Sequence, residues 1–244
     1  MMISPKIPLR SRTVSLLAAI ILLGLSAALA ADFWEKKDYR EWTQKECQKI
    51  LQDSPWAQDY KIFAKSTSSG DATEGQQYIN YAVQLLSATP IRHAQVRAAQ
   101  IQNKYDSLSP EQKQAFDKQT EGFLATPDKI IVNVAYSTNI QRLDMDLAGY
   151  WQTKVTSIFQ NSVYLIPGKG KKVPLAEYKV APGAQRVFQF IFPREFEGKP
   201  VLSPDDKSLI LEFPYVLLRD MAGDGRGMVE FKVKKMVYNG QLEY

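Results

Sequence analysis

The sequence contains one histidine and one cysteine among its 244 residues, and these two scarcities exclude several kinds of site. A single histidine, His93, excludes metal centres built on two histidines, including the HExxH arrangement. A single cysteine, Cys47, excludes an internal disulfide, so the fold must be stabilised by its core. No GxSxG or SxxK pattern is present either, and both are motifs of serine nucleophiles. The sequence therefore indicates no catalytic residue, no metal ligand and no cofactor.

The first thirty residues have the three parts of a secretory signal. They begin with three basic residues, continue with an apolar run over 14–25 and end in small residues. We expect cleavage between Ala30 and Ala31, which places the mature protein in the periplasm or outside the cell. A retained membrane anchor is the alternative, but the apolar run is short for a membrane span. We therefore expect no span after the signal is removed.

The charge balance gives little support for a nucleic-acid partner. The whole chain carries a formal net charge of +5, and the predicted signal holds three basic and no acidic residues. Removing its thirty residues from 244 leaves 214, and removing its three charges from +5 leaves +2. A nearly neutral mature protein has no general attraction for nucleic acid. We expect instead a partner that is another envelope or extracellular protein.

One short helix is cleanly bounded by local signals. Thr43 and Glu46 have the spacing of a capping box, and Ser54 precedes a proline, which predicts an end near Asp53. On this helix Cys47 would face inward as a small core residue rather than as a reactive thiol. A helix of this length is not stable alone, so we expect it to pack on the rest of the protein.

Three of the four tryptophans, Trp34, Trp42 and Trp56, lie around this helix. Packing of the segment against the protein body is the simpler interpretation, because the helix needs buried partners. The alternative is that these rings are exposed and bind a partner. They are therefore the binding candidates that the sequence offers.

The rest of the chain predicts an α+β fold, with helices mostly before residue 155 and antiparallel strands mostly after it. Threonine or serine followed by proline starts one helix at Thr89 and another at Ser109, and the two would form a helical hairpin packed on the sheet. We expect Ala115, Phe116 and Phe123 to face inward on the second helix. A further segment, 139–151, fits a helix less clearly.

Strands are predicted where β-branched and aromatic residues alternate with polar ones between turn signals. The predicted strands are 60–65, 79–85, 129–136, 162–166, 185–192, 208–213, 215–218 and 228–238. The first two would form a hairpin, and the nearly continuous apolar sequence of 129–136 predicts a strand covered on both faces. We expect a single domain over 31–244, with one candidate internal boundary near Asn139.

Three features that could carry chemistry have simpler structural interpretations. His93 shares a helix face with other polar residues, so we expect it to be solvated at the surface. The lysine- and glycine-rich segment 168–172 lacks the spacing of a phosphate loop, which favours a hairpin tip with solvated lysines. The segment 220–227 lacks the ligand spacing of a calcium loop and is expected to be a hairpin turn.

Two pairs of acids lie close in the sequence: Asp144 with Asp146, and Asp205 with Asp206. Such pairs form a catalytic dyad only if they share a pocket that separates their pKa values. Residues 203–206 have the composition of a turn.

Several motifs near the two ends of the chain resemble those of a known group. They are Trp34-Glu35-Lys36-Lys37, Tyr39, Trp42-Thr43, Ser54-Pro55-Trp56-Ala57, Phe192-Pro193-Arg194, Gly198-Lys199-Pro200, Asp205-Asp206-Lys207 and Lys235-Met236-Val237-Tyr238-Asn239-Gly240. In these motifs the chain resembles an uncharacterised group of secreted bacterial proteins. The resemblance implies an exported single-domain protein and carries over no catalytic residue.

These observations predict a non-enzymatic binding or envelope-associated module that meets its partner through a sheet edge or an aromatic patch. The alternative is a carboxylate-dependent hydrolase acting on envelope or extracellular polymers. Spacing does not exclude it, because its acids would come together only in three dimensions.

Overall fold

The computed structural model of the protein describes residues 32–63, 77–168, 170–180, 186–216 and 224–244. The predicted signal, with its cleavage point at Ala30 and Ala31, lies outside these residues. The chain divides into two units, 1–37 and 38–244. In the first unit, Phe33–Glu35 forms a short 3-10 helix in which the rings of Phe33 and Trp34 meet edge-on, with centroids 5.1 Å apart.

The second unit has the predicted α+β architecture. Its α-helices in the described residues are α1 (Gln44–Gln52), α2 (Thr89–Gln102), α3 (Pro110–Leu124), α4 (Gln141–Gln152) and α5 (Thr156–Phe159). Its longer strands are β1 (Ala57–Phe63), β2 (Tyr78–Leu85), β3 (Lys129–Thr138), β4 (Tyr164–Pro167), β6 (Glu177–Val180), β7 (Val187–Pro193), β10 (Ser208–Pro214) and β11 (Arg226–Lys232). The two-residue strands are β5 (Val173–Pro174), β8 (Glu195–Phe196), β9 (Lys199–Pro200), β12 (Val237–Tyr238) and β13 (Gln241–Leu242). None of the helices in the described ranges has the length and apolar character needed to cross a membrane.

The strands form two main sheets in which every described pairing is antiparallel. The five-stranded sheet has the order β1-β2-β3-β7-β6, and the four-stranded sheet has the order β11-β10-β4-β5. Strands β8 with β9, and β12 with β13, form two small hairpins. The predicted hairpin of the first two strands is confirmed, since β1 pairs with β2 from Ala57 opposite Gln84 to Phe63 opposite Tyr78.

An aromatic core joins the two main sheets. Phe213 of β10 lies with its ring 5.4 Å from Tyr81 of β2 and 6.2 Å from Phe190 of β7. Trp151 at the end of α4 stacks on Phe188 of β7 at 4.1 Å. Segment 139–151, which the sequence pattern fits less clearly, forms helix α4. Its buried residues Leu143, Leu147 and Trp151 are spaced four apart and therefore lie on one face of the helix.

Strand β3 is covered on one face only, so the prediction of two covered faces is wrong. Its side chains alternate from Ile130, which is buried, to Ile131, which is half-buried, and this alternation continues through Tyr136. The outer face carries Asn133 and Ala135. Short side chains of this kind tolerate contact with water, and the continuous apolar appearance of the segment concealed the alternation.

Two predicted strands near the end of the chain differ from the observed ones. Tyr215 and Val216 follow β10 without strand structure, and residues 217 and 218 lie outside the described ranges. The predicted strand 228–238 stops at Lys232, where Val233–Lys235 forms a 3-10 turn. This turn buries Met236 and redirects the chain into the β12–β13 hairpin.

Helix α3 has the predicted start but not the predicted packing. Ser109 and Gln112 form a complete capping box, yet no residue of α3 is buried. Ala115 is exposed, Phe116 is half-buried and Phe123 is 38% exposed. The prediction that these three residues face a core is therefore wrong, because α3 lies at the periphery of the helical hairpin.

The starts of α1 and α2 are stabilised in different ways. The predicted capping box of Thr43 and Glu46 is present at α1. At α2 the predicted cap is wrong: Thr89 is the first helical residue, and the preceding Ala88 has no side chain that can cap. The Glu243 carboxylate supplies the missing acceptor, since the Thr89 backbone N–H donates to Glu243 Oε2 at 3.0 Å. A carboxylate also suits the positive end of the helix dipole.

We predict that Glu243→Ala lowers the free energy of unfolding by about 1 kcal/mol, the usual effect of removing a helix cap. Glu243→Gln keeps one acceptor oxygen and should lose less. The matched control is Glu230→Ala, because Glu230 is exposed on β11 and should change stability by less than about 0.5 kcal/mol. Urea unfolding curves measure the three differences, and equal midpoints for the two alanine variants would contradict the capping role.

Candidate functional site

Trp42 and Trp56, on either side of α1, are part of a buried aromatic cluster. Trp42 and Trp56 are fully buried, and each meets the ring of Tyr238 edge-on, at 6.3 and 6.5 Å respectively. The Trp56 indole N–H donates to the main-chain carbonyl of Glu243 at 2.9 Å. The hairpin at the end of the described chain therefore holds α1 in place.

This burial bears on the three tryptophans as binding candidates. Trp42 and Trp56 have no exposed ring face, and Trp34 is buried as well, at 4% exposure. A ring that stacks on a ligand must be open to solvent before binding. The burial of Trp42 and Trp56 within the second unit favours the packing interpretation for these two residues.

His93 lies in the same cluster and is not the solvated surface residue that the helix pattern predicts. Its ring stacks on Tyr39 at 4.0 Å, and Nδ1 lies 3.0 Å from the Tyr238 hydroxyl. Burial lowers the pKa of His93 to about 4, with a further contribution from the neighbouring Arg92. Burial also raises the pKa of Tyr238 to about 12, so both rings are neutral near neutral pH and share the hydrogen bond between the Tyr238 hydroxyl and Nδ1 of His93.

Cys47 is buried on the inner side of α1, as predicted. Burial raises the pKa of its thiol to about 11. The thiolate is the nucleophilic form of cysteine, so Cys47 has the properties of a small core residue.

A groove of about 540 Å³ lies beside α3. One wall comes from α2 and the 3-10 helix Tyr39–Glu41, and the other from α3 with the turn before it. The lining residues are Tyr39, Arg40, Val96, Gln100, Tyr105, Gln114, Asp117, Lys118, Thr120, Glu121 and Leu124. The volume falls in the range of ligand-binding clefts.

The groove combines a partly apolar floor with a polar rim that carries both signs of charge. Val96 contributes to the floor and is 4% exposed. On the rim, the Tyr105 hydroxyl donates to both carboxylate oxygens of Asp117, at 2.9 and 2.8 Å. This hydrogen bond raises the pKa of Tyr105, which keeps Tyr105 a proton donor. Arg40 lies over the ring of Tyr39, with its guanidinium carbon 4.8 Å from the ring centroid.

Sequence reasoning did not find this groove. Tyr105 and Asp117 are twelve positions apart, on different elements, and they form no local motif. In the sequence, Tyr39 belongs only to the motifs that resemble secreted bacterial proteins. The groove arises because the segment 39–41 packs on α2. The one available signal was the helical hairpin itself, since two short helices leave a cleft between them.

The acid pairs noted in the sequence do not form a shared pocket. Asp144 pairs with Arg186. Asp206 accepts from the Ser203 backbone N–H at 2.8 Å, and this bond closes the predicted turn at 203–206. The carboxylates of Asp144 and Asp206 therefore make structural contacts.

The two loop segments considered for phosphate and calcium connect antiparallel strands. Segment 168–172 joins β4 to β5, as predicted for a hairpin tip, with Lys169 outside the described residues. Its other lysines are not simply solvated: Lys171 pairs with Glu197 at 2.8 Å, and Lys172 pairs with Glu212 at 2.7 Å. In segment 220–227, residues 220–223 lie outside the described ranges, and Arg226 and Gly227 already belong to β11, where they pair with Pro214 and Phe213 of β10.

The two outer strands of the five-stranded sheet each make a hydrogen bond outside the sheet. At β1, Tyr60 approaches β11, where its side-chain hydroxyl donates to the Arg226 carbonyl at 3.3 Å. At β6, the Tyr178 backbone N–H donates to the Thr156 hydroxyl at 3.1 Å. A partner strand that added to the edge of β6 would have to displace the contact of Tyr178.

No metal site is evident in the part of the chain that the structure describes, where no three His, Cys, Asp or Glu side chains are grouped to hold an ion.

Comparisons with known proteins find no match, so the functional proposal is based on the fold and the groove. No protein-family model, no curated protein and no solved structure matches this chain.

We predict a pH-dependent contribution of His93 to stability. The pKa is 6.5 in the unfolded chain and about 4 in the folded one, so the unfolded state binds the proton more readily between these values. The contribution is complete above pH 6.5 and is lost as the pH falls from 6.5 towards 4. In His93→Gln this part of the pH dependence should disappear, as measured by urea unfolding at several pH values. Identical pH slopes for the two proteins in that window would contradict the half-buried, neutral state of His93.

Proposed function

We propose that this protein is an exported, non-enzymatic binding module whose partner is a polypeptide of the cell envelope or exterior. The observation that carries the proposal is the groove between α2 and α3, with its partly apolar floor and mixed-charge rim. Protein interfaces commonly combine a buried apolar centre with a polar rim. The groove would accept a segment of the partner chain.

The composition of the groove favours a peptide segment over a strongly charged ligand. Arg40 and Lys118 on the rim are balanced by Asp117 and Glu121, so no single charge dominates. The amides of the groove can donate to and accept from a peptide backbone. Gln114 is exposed on α3 and available for such bonds.

The other binding surfaces expected from the sequence fit less well. The tryptophans are buried, and the outer strands β1 and β6 make the contacts described above. The groove is open to solvent without any rearrangement of these elements.

Two features of the sequence support export. The first thirty residues have the pattern of a secretory signal, and the motifs near both ends resemble secreted bacterial proteins. A nearly neutral mature chain without an internal disulfide is compatible with either side of an outer membrane.

We predict that the mature protein begins at Ala31. Full-length protein produced in a bacterium and recovered from outside the cytoplasm should have the mass of residues 31–244. Ala30→Arg should block cleavage, because signal peptidases require a small residue at that position. Full-length protein of unprocessed mass in the wild-type sample would contradict export by a cleaved signal.

A photo-cross-linking amino acid in place of Gln114 tests the groove. After irradiation of producing cells, we expect a small number of discrete polypeptide adducts, which mass spectrometry can identify. The matched control carries the same amino acid in place of Glu230, on the exposed face of β11, and should give none of these adducts. The same adducts at both positions, or no adduct at Gln114, would contradict binding in the groove.

The purified mature protein also tests the alternative that the chain is a hydrolase. Purified mature protein is incubated with cell-envelope polymers, and soluble fragments are measured. Release of fragments that is lost in Asp117→Asn would replace the binding proposal with the hydrolase, since Asp117 is a groove carboxylate.

A further inference from the structure

We propose that residues 105–124 form a hinged arm that opens away from α2 while the rest of the second unit stays folded, and that Arg92 is the latch that holds it closed. The arm consists of the 3-10 turn Tyr105–Ser107 and helix α3. It forms one wall of the groove, so its opening would change the width of that site. In this respect the inference rests on the proposed function.

The arm is held together internally. The Tyr105 hydroxyl bonds to Asp117, and its ring meets Phe116 edge-on at 5.4 Å. Lys113 donates from Nζ to the Asp106 carbonyl at 3.2 Å. These contacts join the turn to the helix, so both can move as one body.

Contact between the arm and α2 is sparse. No residue of α3 is buried, and a second cleft of about 450 Å³ lies between the two helices. Val96 and Thr120 line both this cleft and the groove, so they mark the ridge where α2 and α3 meet. Most helices of a globular domain owe their stability to a buried apolar face, which α3 lacks.

Arg92 makes the polar connection at the far end of the arm. It is 2% exposed on α2, and its Nη1 donates to the Leu124 carbonyl at 3.2 Å and to the Ala125 carbonyl. Carbonyls in the last turn of a helix have no partner within the helix. A single side chain therefore satisfies the end of α3 and ties it to α2.

The near end of the arm has the backbone of a hinge. Lys104, which joins α2 to the turn, has a φ of 50° in the left-handed region. Residues other than glycine adopt this conformation at a cost in free energy. Opening of the arm would allow Lys104 to leave this left-handed conformation.

Thiol labelling of Val96→Cys tests the inference, because Val96 lies on α2 beneath the arm. We expect the new thiol to react with a disulfide reagent about tenfold or more faster than Ala94→Cys. Ala94 is also on α2 but is fully buried and lines neither cleft. The native Cys47, buried with a raised pKa, reports any opening of the whole protein.

The latch is tested by combining Val96→Cys with Arg92→Met. Loss of the charged hydrogen bonds should accelerate labelling of position 96 by about tenfold again, with Cys47 unchanged. The matched control is Arg142→Met, since Arg142 is exposed on α4 and should have no effect. An unchanged rate at position 96 would show that its thiol reacts through a static gap, and equal acceleration of Cys47 would show global opening. Either result would overturn the inference.

The labelling result is independent of partner binding. If the arm moves but Gln114 gives no adducts, the proposed function is rejected and the hinged arm is retained. If Gln114 gives adducts but the arm is rigid, the proposed function is retained and the hinged arm is rejected.

Discussion

The contact between the end of the described chain and the start of α2 is the one on which the second unit depends most. Glu243 accepts twice there, from the Thr89 backbone and from the Trp56 indole. Tyr238 of the same hairpin packs against Trp42 and Trp56. Helix α1 has only nine residues and would not persist in water alone, so these tertiary contacts keep it folded.

This arrangement gives the groove two unlike walls. On one side, Tyr39 stacks on His93, and the aromatic cluster holds this wall rigid. On the other side, α3 has polar contacts at its ends and no buried residue. A groove with one fixed wall and one lightly held wall is suited to accept a flexible partner segment, because the adjustment needs little disruption of the core.

Many ionisable side chains of the described residues serve the fold. Glu212 is buried between Lys172 and Arg226, at 2.7 and 3.2 Å, and Arg92 closes the end of α3. A buried charge is tolerated when it is paired and hydrogen-bonded. Glu212 and Arg92 therefore have structural roles.

Local signals were enough to identify most of the elements. The capping box at Thr43 predicted α1, and the signals at Thr89 and Ser109 predicted the helical hairpin. The alternating strands predicted the antiparallel sheets, because each of these signals spans only a few residues. The surroundings of His93 and the cap of α2 could not be predicted in this way. His93 and Tyr238 are 145 positions apart, and Thr89 and Glu243 are 154 apart. The peripheral place of α3, and therefore the groove, has the same origin: a periodic pattern shows which side of a helix is apolar, but only the packed chain decides what, if anything, covers it.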